Sequence, residues 1–174
     1  KTMFDASSSA SLSAKFNARL SKALEQFPDF LGESGMTVRS GDIAGHVSTS
    51  NVGGGKVFYS NISLSNFSAA NDVKTFKLNS PISFRSEIVA KPEGVQIDPI
   101  EISSVFMNLS CSGMVDDLKI QGVIPIKTAQ NELGDFINFG PYKYSGEIII
   151  NGDMMPKSRI LNGTAFLKDF NVIN

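Results

Sequence analysis

The stretch DLKIQGVIPI, from Asp117 to Ile126, alternates Leu118, Ile120, Gly122 and Ile124 with Asp117, Lys119 and Gln121. Successive side chains on a strand point to opposite faces, so this pattern predicts a half-buried strand with one apolar side. The same period of two recurs along the chain. Ile82, Phe84, Ser86 and Ile88 oppose Ser83, Arg85 and Glu87, and Val95 and Ile97 oppose Gln96 and Asp98. Between Lys56 and Asn66, Phe58, Ile62 and Leu64 share a face with Ser60 among them. Turn residues punctuate the runs at Asn51 to Gly55, Lys91 to Gly94, Asn151-Gly152 and Asn162-Gly163. The chain therefore reads as mainly β, an antiparallel meander of short strands.

Two segments break the alternation. Leu20, Leu24, Phe27 and Leu31 recur at helical spacing after Ser21, read as an N-cap with Glu25 in the first turn. Pro28 ends or kinks this helix, placed at about residues 21–31. Ala129, Leu133, Phe136 and Ile137 form a similar stripe after Thr128, with Glu132 early, predicting a helix at about residues 128–139. Each short amphipathic helix follows a strand and precedes another, near Val38 or Tyr144.

The helices occupy equivalent places because the chain repeats itself. Met3 to Phe67 reappears in outline as Met107 to Phe170, offset by about 104 residues. Lys15 answers to Lys119, and Asp29-Phe30 to Asp135-Phe136. Ser40-Gly41-Asp42-Ile43 answers to Ser145-Gly146-Glu147-Ile148, and Asn66-Phe67 to Asp169-Phe170. The expected organisation is a first unit over 1–104 and a second, truncated unit over 105–174, together one continuous domain. A repeat of this kind buries its apolar face against a neighbour.

A one-sided meander exposes an apolar face that something must cover. Either the antiparallel sheet curls into a half-pipe or taco whose concave side is a greasy trough, or it folds back as a β-sandwich. Alternation predicts both alike. In the curled case Ile62, Leu64, Ile82, Phe84, Ile88, Ile97, Ile148 and Ile150 line the trough.

With 174 residues, 41% of them hydrophobic and 19% charged, the chain is long and apolar enough to fold. A net charge of −1, with Lys and Arg scattered singly, provides no field for nucleic acid. There is no Trp, but 13 Phe call for a core or a greasy ligand. Gly53-Gly54-Gly55-Lys56 has Val57 where a phosphate loop needs Ser or Thr, so it reads as a hairpin turn. His46 is the only histidine, which excludes a histidine metal cluster and places any Ser-His-Asp triad on this one residue. Cys111 is the only cysteine and lies in an alternating run, so it reads as a packed small hydrophobe. Asp116 and Asp117 are adjacent on the chain and diverge on a strand. No cofactor and no metal is expected.

The order of "DLKIQGVIPI", the helix "AQNELGDFINF" and "YKYSGEIIINGDM" resembles the AsmA-like and TamB-like proteins of Gram-negative envelopes. "SAKFNARLSKALEQFPDF", "TVRSGDIAGHVSTS" and "KVFYSNISLSNFSA" follow the same order. The resemblance covers nearly all the chain and rests on soft motifs, including the strand starts Gly41-Asp42-Ile43 and Gly146-Glu147-Ile148. It implies an internal segment of a long periplasmic protein held at the inner membrane by a part not present here. It further implies a hydrophobic groove for phospholipid or other acyl chains, serving outer-membrane biogenesis, and neighbouring repeats of a longer chain as partners.

The leading expectation is thus a non-enzymatic, lipid-conducting envelope segment. The alternative is a structural or partner-binding β-domain of a surface or secreted protein. An enzyme would need His46 or Cys111 beside a carboxylate in a cleft. In isolation the edge strands can pair with a second copy.

Overall fold

A computed structural model describes residues 11–25, 37–71 and 74–173. They form β1 (Leu12–Arg19), α1 (Leu20–Glu25), β2 (Thr37–Val52), β3 (Gly55–Ala70), β4 (Thr75–Lys77), β5 (Ile82–Lys91) and β6 (Gly94–Ser104). There follow β7 (Met107–Met114), β8 (Asp117–Pro125), α2 (Ile126–Leu133), β9 (Lys143–Met155) and β10 (Ile160–Ile173). The strands make one antiparallel sheet in the order β1-β2-β3-β5-β6-β7-β8-β9-β10, with the short β4 beside β3. The sheet is curled and does not close. The architecture is the curled sheet, and the described residues form no second layer of strands.

Tight turns make neighbours in sequence neighbours in space. Val52 pairs with Gly55, Lys91 with Gly94, Ser104 with Met107 and Met114 with Asp117, each across a two-residue loop. Gly53 and Gly54 take φ of 57° and 80°, the positive pair that a two-residue turn matched to strand twist requires. The glycine-rich Gly53–Lys56 stretch is therefore a hairpin. Asp98-Pro99 form a bulge in central β6, where Ile97 and Ile100 are paired and the two residues between are not. A proline without an N–H is tolerated there because the ladder is already interrupted.

Two other turn assignments need correction. Asn151-Gly152 and Asn162-Gly163 lie inside β9 and β10, where Gly152 pairs with Gly163. The connection falls instead at a 3-10 turn, Pro156–Ser158. Each glycine occupies a slot in the apolar alternation, so the strand passes through it without turning.

The helix boundaries also differ. α1 begins at Leu20 directly after β1, so Ser21 is inside the first turn and not a cap. Phe27, Pro28 and Leu31 lie outside the described residues, as do Met3 and Asp29-Phe30. α2 starts at Ile126, two residues before Thr128, with Pro125 at the cap position and no side-chain capping bond. Pro125 is still extended (φ −66°, ψ 108°), its φ fixed by the ring at a value a helix also accepts, so strand passes to helix without a polar cap. The helix ends at Leu133. Phe136 and Ile137 continue only as turns, their amides bonding the Leu133 carbonyl, and Glu132 sits in the last turn.

The two ends of the chain show the same local device. Asn66 (φ 53°) and Asp169 (φ 51°) each start a bulge in the second of two paired long strands, opposite Gly41 and Gly146. Gly146 has φ of 107°, and a Cβ there would lie 2.6 Å from the Lys168 carbonyl oxygen, so only glycine fits. Strand, helix and two long bulged strands therefore recur as β1-α1-β2-β3 and β8-α2-β9-β10. The sheet passes unbroken through residues 104 and 105, since β6 and β7 pair there.

Candidate functional site

Register places one chemistry on each face. Across the sheet, Phe16, Gly45, Ile62, Phe84, Ile102, Leu109, Gly122, Ile150 and Ala165 stand partner to partner. One residue away on every strand runs a second row: Lys15, His46, Asn61, Arg85, Glu101, Ser110, Gln121, Asn151 and Thr164. The first row is apolar from edge to edge and the second is polar from edge to edge.

All eight residues singled out from the sequence lie on the apolar face. Ile62 pairs with Phe84, Leu64 with Ile82, and Ile88 with Ile97. Ile150 stands opposite Gly122, and Ile148 opposite Ile124. Seven of them are half-buried, and Ile97 is 8% exposed. No large side chain among the described residues falls below 2% exposure. A sheet whose apolar side were sealed against a second layer would bury these residues, so this face is available.

The hydroxyls of Ser60 and Ser86 lie on the apolar face as a mutually bonded pair. Ser60 and Ser86 are paired across β3 and β5, and their Oγ atoms hydrogen-bond each other at 2.8 Å. Each hydroxyl satisfies the other, which lowers the cost of an apolar surround. Cys111 belongs to the same face, between Ile100 and Ile120. Burial pushes its thiol pKa up, as expected of a packed apolar residue.

The floor of the face is uneven because its glycines differ. A Cβ on Gly45 would strike the Phe16 ring, and one on Gly122 would strike Leu109, so neighbours already fill both gaps. At Gly152 and Gly163 the nearest atoms are all backbone. A hollow of about 460 Å³ lies there, lined by Ile120, Ile150, Leu161 and Ala165 among others.

One end of the curl is covered and the other carries hairpins. α2 leaves β8, yet Glu132 accepts hydrogen bonds from the Asn79 and Ser80 amides (3.1 and 3.2 Å) and the Ser80 hydroxyl (2.9 Å). Those partners precede β5, three strands away, or roughly 14 Å along a flat sheet. Just beyond α2, Phe136 stacks on Phe76 of β4 and Phe67 of β3, with ring centroids 5.3 and 6.4 Å apart. Lys74 Nζ pairs with Asp135 at 3.5 Å. Ala69, Ala70, Phe106, Ile126 and Ala129 are buried at this end. No family model, curated protein or solved structure matches the chain.

The remaining chemistry is sparse. His46 lies on the polar face, its Nε2 2.9 Å from Ser13 Oγ and its ring 6.0 Å from Tyr59. No carboxylate hydrogen-bonds that imidazole among the described residues, and Cys111 belongs to the opposite face. The described residues contain no group of three or more His, Cys, Asp or Glu placed to hold a metal ion. None of their helices is long and apolar enough to cross a membrane. Sequence reading missed the Glu132–Ser80 link and the Phe136 stack, because nothing local to residues 126–139 names a partner near residue 80. The hollow at Gly152 and Gly163 had a signal that was misassigned, the two Asn-Gly pairs.

Proposed function

We propose that the chain is a non-enzymatic length of lipid-binding trough, whose apolar face holds the acyl chains of phospholipid or a related lipid. The observation that carries this reading is the apolar row running from Phe16 to Ala165, over which the described residues place no second layer. A surface this continuous and this available binds greasy matter in preference to water. Ile62, Leu64, Ile82, Phe84, Ile88, Ile97, Ile148 and Ile150 contact acyl chains, and the Ser60–Ser86 pair lets them pass a polar position. The hollow at Gly152 and Gly163 gives a methylene chain room to approach the backbone.

The resemblance to AsmA-like and TamB-like proteins supports a place in the periplasm of a Gram-negative envelope, as part of a longer chain attached to the inner membrane. In that setting the trough serves transfer of lipid between membranes and outer-membrane biogenesis. The long exposed edge of β10 favours a second reading, a partner-binding β-domain.

Native mass spectrometry of gently purified protein, with extraction of the retained lipid, tests the first reading. A bound mass matching extracted phospholipid is expected. An unliganded mass with an extract free of lipid overturns it.

A further inference from the structure

β10 is an edge strand of unusual form. It runs from Ile160 to Ile173, every residue of it is exposed, and among the described residues no strand lies beside one side of its backbone. From Ile160 to Lys168 it pairs regularly with β9, and the register shifts only beyond Lys168. Within Ile160 to Leu167 there is no proline, no charge and no bulge, the devices by which sheet edges usually repel strands. The other edge, β1, carries Lys15 and Arg19.

The fold itself contains a covered version of this edge. β3, which shares with β10 the bulge at Asn66 and Asp169, accepts antiparallel β5 along Lys56 to Leu64. Placed on β10 by that shared bulge, the covered stretch corresponds to residues 159–167. An edge of this form therefore takes an antiparallel strand with apolar residues at alternate positions.

We propose that the occupant is β10 of a second copy, paired antiparallel about a two-fold axis through Thr164. The regular stretch Ile160 to Lys168 is centred on that residue. On the apolar face the strand reads Leu161, Gly163, Ala165, Leu167, large-small-small-large, and so is self-complementary about Thr164. Leu161 meets the partner's Leu167, and Gly163 meets the partner's Ala165. Just outside the regular stretch, Arg159 falls opposite the partner's Asp169, and the axis makes this opposite-charge pair twice. Neither Arg159 nor Asp169 has an ion-pair partner within its own chain among the described residues. An axis normal to the sheet keeps both apolar faces on one side, so two copies form one continuous trough.

The inference rests on the edge and not on lipid binding, and delipidated protein tests it. Sedimentation over a wide dilution series is expected to show a monomer–dimer equilibrium. Arg159→Glu weakens association by about tenfold, and added salt recovers part of the loss. In a Cys111→Ser background, Thr164→Cys oxidises to a linked dimer, because directly opposed residues in antiparallel strands have Cα atoms about 4.5–5.5 Å apart. Phe166→Cys stays unlinked, since its counterpart lies about 13 Å away along the strand. A monomer at every concentration overturns the dimer. Equal cross-linking at both positions overturns its register.

Discussion

Glu132 holds Ser80 with both carboxylate oxygens: Oε1 accepts the hydroxyl at 2.9 Å and Oε2 the amide at 3.2 Å. The two residues are 52 positions apart in the chain, and β5 to β8 lie between them. This contact and the Phe136 stack tie α2 over the end of the curl. Replacing Glu132 with Ala removes one exposed and two part-buried hydrogen bonds, at a cost of about 1–2 kcal/mol. Urea unfolding of Glu132→Ala is expected to show that loss, and hydrogen exchange should show α2 amides opening faster than those of β6. An unchanged midpoint would remove the latch from the account.

Gly146 is expected to resist any side chain. Its φ of 107° and the 2.6 Å approach to the Lys168 carbonyl make Gly146→Ala destabilising by about 2 kcal/mol or more. Thermal unfolding measures this directly. Gly53→Asn, at a turn position with φ of 57° and open space around it, should cost far less. Equal losses at the two positions would contradict the bulge geometry.

The two faces of the sheet predict opposite responses to a charge. Phe84→Asp introduces a carboxylate into the apolar row and is expected to cut co-purified lipid severalfold. Arg85→Asp, the next residue on the same strand, points to the polar row and should leave lipid content unchanged. Circular dichroism establishes that both variants keep their strands before lipid is quantified. Loss of lipid in both, or in neither, argues against the trough.

Cys111 reports on the same face from within. Its pKa is raised by desolvation, so the neutral thiol is favoured in the folded protein. The raised folded value also means that any stability linked to this thiol is present below its ordinary pKa and fades as pH climbs past it. Alkylation should be slow at neutral pH and keep accelerating beyond the pH at which an ordinary thiol levels off. Added phospholipid is expected to slow it further if it occupies this face as proposed. Alkylation as fast as that of a free thiol would place Cys111 outside the apolar surround.

The strand faces were legible because alternation is a local property. Ile82 to Ile88 and Leu118 to Ile124 declare their sides without reference to any partner. The helix starts were harder to read. Ser21 and Thr128 have the side chains of caps, but the strands run straight into the helices at Leu20 and Ile126, leaving no cap to fill. Asn151-Gly152 and Asn162-Gly163 misled for a related reason. An Asn-Gly pair signals a turn where it interrupts alternation, whereas here Ile148, Ile150, Gly152 and Met154 keep the period. Curl against closure lay beyond any local pattern, because both bury alternate residues. What distinguishes them is the strand order, a single path in which no described strand lies over another.

The strand order of the sheet has a consequence for how the molecule comes to be. Apart from β4, each strand lies against the one made just before it. Short loop closures of this kind are entropically cheap, so the sheet can grow by successive addition. A chain emerging amino end first could build its curled sheet strand by strand as it arrives, with no early strand waiting for a late partner. The Glu132 latch is different, since Ser80 is made long before it. That contact can close only after β5 to β8 are in place and does not wait for β9 or β10, which makes it a marker that the sheet has grown as far as β8.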